Sequence, residues 1–192
     1  CSDAGYRACE YTVGLHGVLH PDFRHTKYLL AWGWNAMNAG GNKFCWLTWP
    51  RQLVNARERG MKVVHIDPRL RSAGPFADTW LPIKPGTDGL FVMSLIHELL
   101  RTGNVDESFL ATYTNSAWLV IQDPGAADDG LFARNEEGAP LVWDGEKKAI
   151  ASGMDITAKP VLAGDIKLED GRKAVPAFQL MAERYLDAKY AP

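Results

Sequence analysis

The sequence is short of cysteine: its 192 residues contain three, Cys1, Cys9 and Cys45, and no Cys-X-X-Cys pair. An odd number of cysteines without such a pair argues against a disulfide framework and against a self-contained zinc or iron–sulfur site. The chain also lacks an excess of charge of either sign, since 21 basic and 23 acidic side chains give a formal net charge of −2. Nucleic-acid binding by electrostatics needs a basic stripe, so we expect no nucleic-acid partner.

Long apolar segments are absent as well. The main uncharged run, residues 28–41, is interrupted by Gly and Asn and is too short for a transmembrane helix, so no direct membrane span is expected. The sequence begins with Cys1 rather than Met, and nothing near Cys1 has the pattern of a signal peptide. We therefore expect an internal piece of a longer chain, whose N-terminus and targeting signal lie elsewhere.

The sequence does contain a strand, helix, strand pattern near its beginning. With 46% hydrophobic and 23% charged residues, the chain can form one main domain with a sizeable core. Residues 27–33 form a short apolar run that ends at Gly33, as a buried parallel strand does. Residues 44–59 have helical spacing, with Pro50 expected in the first turn, and Lys62–Asp67 is a β-branched strand. Together these segments predict a βαβ unit.

The remaining segments predict further elements around this unit. A helix over 90–101 has apolar residues on more than one face and is expected to be largely buried, with His97 as a packing residue. The predicted fold class is α/β: a Rossmann-like parallel sheet with flanking helices in residues 1–122, followed in residues 123–192 by an irregular or β-hairpin excursion and a C-terminal helix of the same domain. Shorter elements are expected at 79–83 (extended), 106–113 (helix), 118–121 (strand) and 176–190 (helix).

Three polar clusters follow the predicted strands. An open parallel sheet binds its ligands at the carboxyl ends of its strands. Glycines there permit close approach of a phosphate, Asn and Arg donate hydrogen bonds to it, and Asp accepts them from ribose hydroxyls or from the edge of a guanine. The clusters are Gly33-Trp34-Asn35, Asp67-Pro68-Arg69 and Pro85-Gly86-Thr87-Asp88.

Each cluster also has a purely structural interpretation. Asp88 can serve as the N-cap of the helix that follows, Asp67 can accept a bond within its own turn, and the glycines can serve chain reversal alone. The G-x-G-x-x-G fingerprint of dinucleotide-binding folds is absent. From the residues alone, the clusters are therefore consistent with two interpretations: a nucleotide-binding edge or ordinary turns.

A resemblance to a known family is carried by two segments, VHIDPR (64–69) and ADTWLPIKPGTDG (77–89). Both resemble the central region of molybdopterin oxidoreductases of the dimethyl sulfoxide reductase superfamily, and WGWN (32–35) resembles the first nucleotide-binding turn of that family. The resemblance covers about residues 1–121. Residues 135–192 are similar only to some members, in the polysulfide, thiosulfate, arsenate and acyl-CoA oxidoreductase group.

The resemblance implies a bis-(molybdopterin guanine dinucleotide) cofactor that holds molybdenum or tungsten. It implies that the first cluster contacts the pyrophosphate, the second the guanosine and the third the guanine base. The residues that carry over are Gly33, Trp34 and Asn35 for the pyrophosphate, Asp67 and Arg69 for the guanosine, and Gly86, Thr87 and Asp88 for the base.

Cys1 is the metal ligand and catalytic residue that the resemblance implies. It precedes Gly14 by thirteen positions, which is the spacing of the ligand cysteine in family members that use one. A deprotonated thiolate is a soft ligand suited to such a metal. A small buried cysteine is the alternative interpretation.

The function implied is that of a piece of an oxidoreductase catalytic subunit, which performs two-electron chemistry on a small substrate of the polysulfide, thiosulfate or arsenate class. We expect this piece to be inert without the remaining domains. An iron–sulfur cluster is expected in the part before Cys1, and an iron–sulfur electron-transfer subunit is the expected partner. A periplasmic or membrane-associated complex is favoured over the cytoplasm.

Two other functions remain open from the sequence. One is a nicotinamide-binding or other nucleotide-binding module without a redox metal. The other is a non-redox hydratase of the same family.

Overall fold

The structure, a computed structural model, describes residues 3–15, 20–35, 37–38, 45–70 and 74–191. These residues fall into two compact units that divide between Asp88 and Gly89. The first unit carries a parallel sheet, and the second carries antiparallel strands.

The first unit contains the predicted βαβ arrangement. Its strands pair in chain order, and both pairings are parallel, with Ala31 opposite His65. The extended piece expected at 79–83 becomes the third strand of this sheet. The elements are helix α1 (Asp3–Val13), strand β1 (Tyr28–Trp32), helix α2 (Cys45–Glu58), strand β2 (Lys62–Ile66) and strand β3 (Thr79–Leu81).

Helix α2 begins and ends close to the predicted positions. At its end the Gly60 amide donates to the Arg57 carbonyl oxygen (2.8 Å), and the Met61 amide donates to the Ala56 carbonyl oxygen (3.0 Å). These two bonds satisfy carbonyl groups that have no partner within the helix. The prediction for Pro50 is wrong: this residue lies inside the helix rather than in its first turn. It therefore removes one amide donor from the helical ladder.

One face of the parallel sheet packs against α2. Leu29 and Ala31 of β1 lie on the same face as Val63 of β2, because side chains alternate along a strand. They form a buried cluster with Leu53 and Ala56 of α2. Burying one such Leu or Val side chain is worth about 1.5–3 kcal/mol. The expectation of a strand buried on both faces is wrong for β1, because Tyr28 and Leu30 of the same apolar run are exposed and only the alternate residues face α2.

The second unit confirms the predicted hairpin excursion and C-terminal helix. Its elements are helix α3 (Asp88–Arg101, whose first residue belongs to the first unit), helix α4 (Glu107–Tyr113), strands β4 (Leu119–Gln122), β5 (Leu141–Asp144), β6 (Ala149–Ser152), β7 (Ile166–Lys167) and β8 (Lys173–Pro176), and helix α5 (Ala177–Tyr185). Strands β5 and β6 form an antiparallel hairpin, and β8 pairs antiparallel with both β4 and β7. Helix α5 is shorter than predicted, since residues 188–190 form a separate 3-10 turn.

Helix α3 is less buried than its sequence predicts. Leu90, Val92 and Leu99 are exposed, so the expectation of a largely buried helix is wrong. The apolar residues of α3 cover more than one face, and the described residues cover only part of that surface. His97 is buried, and its Nδ1 bonds the Tyr185 carbonyl oxygen at 2.8 Å, which confirms its predicted packing role. Among the helices in the described ranges, none is long and apolar enough to cross a membrane.

Candidate functional site

The polar clusters predicted from the sequence follow the three parallel strands. Gly33 comes directly after β1 and Asp67 directly after β2, while the turn that contains Gly86 connects β3 to α3. The strands are neighbours and run in the same direction, so their carboxyl ends share one edge of the sheet. This is the edge at which open parallel sheets bind ligands.

Hydrogen bonds connect the strand ends at this edge. The Gly33 amide donates to the Ile66 carbonyl oxygen at 2.8 Å, and the Asp67 amide donates to the Leu81 carbonyl oxygen at 3.2 Å. The Trp80 indole Nε1 donates to the Asp67 carbonyl oxygen at 2.8 Å. The turns after β1 and β2 are therefore fixed relative to each other and to β3.

Gly33 and Gly86 leave open space above two of the turns. Their φ angles are +57° and +86°, which residues with a side chain rarely adopt. Apart from the chain neighbours of each glycine, no atom of the described residues lies within 4 Å of a Cβ built on either of them. A left-handed turn with an open approach fits a phosphate or a nucleotide that lies against the main chain.

Asp67 accepts a bond within its own turn. The Arg69 amide donates to Asp67 Oδ1 at 2.8 Å, as the structural interpretation of this residue expects. The bond does not prevent a ligand contact, because a carboxylate has about four acceptor positions. The Arg69 residue is exposed, so its guanidinium is accessible to an anion.

Asp88 is the first residue of α3, and its carboxylate accepts a bond from a distant tryptophan. The Trp32 indole Nε1 donates to Asp88 Oδ1 at 2.7 Å. This bond lowers the pKa of the Asp88 carboxyl group, and the amides of Asp88 and Gly86 lower it further. The helix N-terminus also favours a negative charge here. Asp88 is thus held by a tertiary contact, which a simple N-cap does not require.

The other residues of these clusters have local partners. The Trp34 ring packs in the core, with ring centroids 4.8 Å from Trp49 and 6.5 Å from Phe23. The Asn35 carbonyl oxygen accepts a bond from the Asn38 amide at 3.2 Å. The ring of Trp34 is therefore engaged in core packing at this turn. Thr87 closes the third turn, since its Oγ1 donates to the Lys84 carbonyl oxygen at 2.7 Å.

Cys1, the predicted metal ligand, lies outside the described residues. Within the ranges that the structure describes, no three or more His, Cys, Asp or Glu side chains are grouped so that they could hold a metal ion.

The sequence prediction missed two side chains near the site. Trp32 belongs to the segment that resembles the first nucleotide-binding turn but is given no contact of its own there, although an indole N–H at the end of a strand needs an acceptor when it is buried. His65 of β2 is 1% exposed, and neither of its ring nitrogens has a hydrogen-bond partner in the described part of the chain. No pattern in the sequence distinguishes this histidine from a bonded one.

Comparisons with known proteins show the family of the chain. A family model described as molybdopterin oxidoreductase matches residues 8–183. The chain is 38% identical to a sulfite dehydrogenase subunit of Allochromatium vinosum over 137 residues, which are 67% of this chain and 14% of that protein. It is 28% identical over 155 residues to the molybdopterin-containing subunit of arsenate respiratory reductase of Chrysiogenes arsenatis, covering 77% of this chain and 17% of that one. It is 30% identical over 109 residues to the molybdopterin-containing subunit of thiosulfate reductase of Salmonella typhimurium, covering 57% of this chain and 14% of that one. The chain thus spans less than one fifth of the length of each of these relatives.

Proposed function

The chain belongs to the molybdopterin oxidoreductase family, and from this premise we propose that it is part of the catalytic subunit of an enzyme that performs two-electron chemistry on a small substrate. Membership implies a metal bound by molybdopterin. The names of the relatives point to sulfite, arsenate and thiosulfate, so we propose a small sulfur- or arsenic-containing anion as the substrate class.

The observation that carries the proposal is the shared edge of the parallel sheet. Two open glycine turns and two aspartates meet there, and their positions are fixed by hydrogen bonds between the strand ends. A guanine nucleotide presents phosphate acceptors at one end and base donors at the other, so it complements amides, a guanidinium and a carboxylate arranged in this order. We therefore propose the guanine dinucleotide form of the cofactor, with two such cofactors on one molybdenum or tungsten.

In this arrangement the residues of the chain bind and orient the cofactor. The main chain of Gly33, Trp34 and Asn35 would lie along the pyrophosphate. Asp67 and Arg69 would contact the guanosine, and Thr87 and Asp88 beyond Gly86 would contact the base. When bound, the metal would accept or donate the two electrons of the reaction. Holding the nucleotide at the sheet edge would fix the pterin relative to the other domains of the enzyme.

The proposal also includes a metal ligand outside the described residues, partner proteins and a cellular location. We propose that the Cys1 thiolate closes the coordination shell of the metal. The electrons would pass through an iron–sulfur cluster elsewhere in the catalytic subunit to an iron–sulfur partner protein, in a periplasmic or membrane-associated complex. Replacing Cys1 by Ser tests the ligation, because a changed metal absorption or paramagnetic resonance spectrum with unchanged metal content is the result expected.

The first experiment is a cofactor analysis of the complete protein purified without oxygen. Metal is measured by mass spectrometry, and GMP is measured after acid hydrolysis. We expect molybdenum or tungsten together with about two GMP per metal, as a two-pterin cofactor requires. Folded protein with neither metal nor GMP would contradict the proposal. Metal-free protein that prefers NAD to guanine nucleotides would support a nicotinamide-binding module instead.

A pair of glycine variants places the nucleotide on the chain. Gly33 and Gly138 both have left-handed φ angles, and within the described ranges neither has an atom beyond its chain neighbours within 4 Å of a built Cβ, but Gly138 lies in a turn of the second unit. Gly33→Val should lower the GMP and metal content of the purified protein several-fold, because the side chain strains the turn and occupies its open space. Gly138→Val should leave both contents unchanged. Equal losses in the two variants would show that strain alone removes the cofactor.

A further inference from the structure

We propose that Trp32 is a positioning residue for base recognition. Its bond orients the Asp88 carboxylate so that the carboxylate discriminates guanine from bases without a 2-amino group. This inference rests on the proposed function, because it assumes that Asp88 meets the base. It concerns the chain's own residues and a tertiary bond that is independent of the bound metal.

The bond between Trp32 and Asp88 joins distant parts of the first unit. The donor ends β1, and the acceptor begins α3, 56 residues later. The bond therefore connects the end of β1, directly before the first cluster, with Asp88 of the third cluster. A residue placed in this way couples the phosphate end of the site to its base end.

The bond restricts the rotamer of the Asp88 carboxylate but uses only part of its capacity to accept hydrogen bonds. At the exposed start of a helix, an aspartate side chain is free to take several rotamers. The Trp32 indole is rigid, and its N–H fixes Oδ1 at 2.7 Å. A carboxylate has about four acceptor positions, so the indole bond uses only one of them. A guanine offers two adjacent donors, at N1 and at the 2-amino group, and this pair needs a carboxylate held in one orientation.

A second tryptophan at the same edge provides a matched control. The Trp80 indole also donates one bond at this edge, at 2.8 Å, but its acceptor is the main-chain carbonyl oxygen of Asp67. Both Trp→Phe variants therefore lose one indole bond and keep an aromatic ring. Only the loss at Trp32 frees a side chain that is proposed to contact the base.

The test compares binding of GDP and IDP to the complete, cofactor-free protein by calorimetric titration. IDP carries hypoxanthine, which lacks the 2-amino group. We expect the wild type to prefer GDP by about tenfold, the difference of one charge-assisted hydrogen bond. Trp32→Phe should reduce this preference to about twofold, whereas Trp80→Phe should keep it within about twofold of the wild-type value. A merely structural weakening would lower the affinity for both nucleotides equally and leave the ratio unchanged.

The outcomes separate this inference from the proposed function. If the wild type does not prefer GDP, the assignment of the base site to Asp88 fails, and the inference fails with it. If the wild type prefers GDP and Trp32→Phe keeps the full preference, only the inference about Trp32 is overturned. If Trp32→Phe does not fold, benzothienylalanine at position 32 removes the N–H and keeps the bicyclic ring, and the same loss of preference is expected.

Discussion

Asp88 in the first unit and Asp144 in the second are aspartates whose carboxylates have very different surroundings. Asp144, at the end of β5, is 0% exposed, and its carboxylate accepts hydrogen bonds from three main-chain amides of the second unit. Asp88 is half-buried and accepts a bond of 2.7 Å from the side chain of Trp32. The three amides that donate to Asp144 are those of Glu146 (2.9 Å), Lys147 (2.9 Å) and Lys159 (3.3 Å). The carboxylate of Asp144 is thus held by amides of its own hairpin and the neighbouring loop, while that of Asp88 is held by a side chain 56 residues away.

The direction of the pKa shift does not separate the two roles. The pKa of Asp144 is lowered chiefly by the Lys147 amide, and the pKa of Asp88 is lowered chiefly by the Trp32 indole. Both carboxylates are therefore held in the charged form. What differs is the source of the chief donor, which is a nearby main-chain amide for Asp144 and the indole of a residue 56 positions away for Asp88. The source of the donor is thus more informative here than the direction of the shift.

The largest effect should come from Asp144→Ala. The substitution leaves three amides without their acceptor in a fully buried place, which is among the costly kinds of substitution. We expect hydrogen exchange in peptides that cover β5 and β6 to accelerate by about tenfold or more in the complete protein, measured by mass spectrometry. The GMP content should be unchanged, because the proposed nucleotide contacts lie in the first unit.

Asp155→Ala is the matched control for that variant. The Asp155 carboxylate also accepts a bond from an amide of its own turn, that of Thr157 at 2.8 Å, but its side chain is 38% exposed. Water can replace the lost acceptor, so exchange should change by less than about twofold. Equal effects of the two substitutions would contradict the distinction between a buried and an exposed turn carboxylate.

A smaller and pH-dependent effect is expected at Arg172. Its guanidinium donates to Asp128 and to Asp170, both at 2.7 Å. The pKa of Asp128 is lowered chiefly by the side-chain bond from Arg172, and that of Asp170 by the amide and side chain of the same residue. A carboxyl group with a lowered pKa in the folded state contributes stability above its ordinary pKa and loses it as the pH falls through the lowered value.

Arg172→Met should therefore lower the melting temperature at neutral pH and have less effect in acid. We expect the difference from the wild type to be largest above about pH 5 and to shrink below about pH 4, as the carboxyl groups become protonated first in the unfolded state and at still lower pH in the folded state. All three side chains are partly exposed, so solvent screening limits the effect to a few degrees. The measurement is thermal unfolding of both proteins between pH 3 and pH 7. A difference that grows in acid would contradict the assigned sign.

Elements that depend on local signals could be predicted from the sequence. The apolar runs of β1 and β2 and the glycine after α2 define the βαβ unit, and the rule for parallel sheets places Gly33 and Asp67 at one edge. The antiparallel pairing of β4 with β8 could not be predicted, because it joins residues about fifty positions apart through short strands. The exposure of α3 could not be predicted either, since apolar residues on several faces do not reveal which of them are covered.

The main-chain turns of the candidate site could be predicted from the sequence, but the contacts of its side chains could not. A glycine at a strand end predicts an open turn, and both Gly33 and Gly86 have left-handed backbones. Asp88 remained divided between an N-cap and a base contact, because the donor that reaches it is distant in sequence. Trp34 shows the converse: its position in the first turn suggests a ligand contact, but its ring packs on Trp49. The direction of a side chain at a turn depends on packing that the sequence alone does not display.

The two units also differ in the hydrogen bonding of their buried histidines, His97 and His65. His97 in the second unit is 6% exposed and bonds the Tyr185 carbonyl oxygen at 2.8 Å, and because a carbonyl only accepts, Nδ1 carries the proton. His97→Leu removes this donor and leaves the carbonyl unpaired at the end of α5. We expect a loss of about 1 kcal/mol in local stability, seen as faster hydrogen exchange in peptides covering α3 and α5.

The smallest effect is expected from the corresponding change in the first unit, His65→Leu. His65 is 1% exposed, and in the part of the chain that the structure describes its ring nitrogens have no partner. Replacing a buried polar ring that makes no hydrogen bond with an apolar side chain removes a desolvation cost and leaves no donor or acceptor unpaired. Exchange in peptides covering β1 and β2 should therefore stay within about twofold of the wild type or become slower. An acceleration as large as that of His97→Leu would show that His65 is hydrogen-bonded in the protein, and the difference between the units would then be confined to their aspartates.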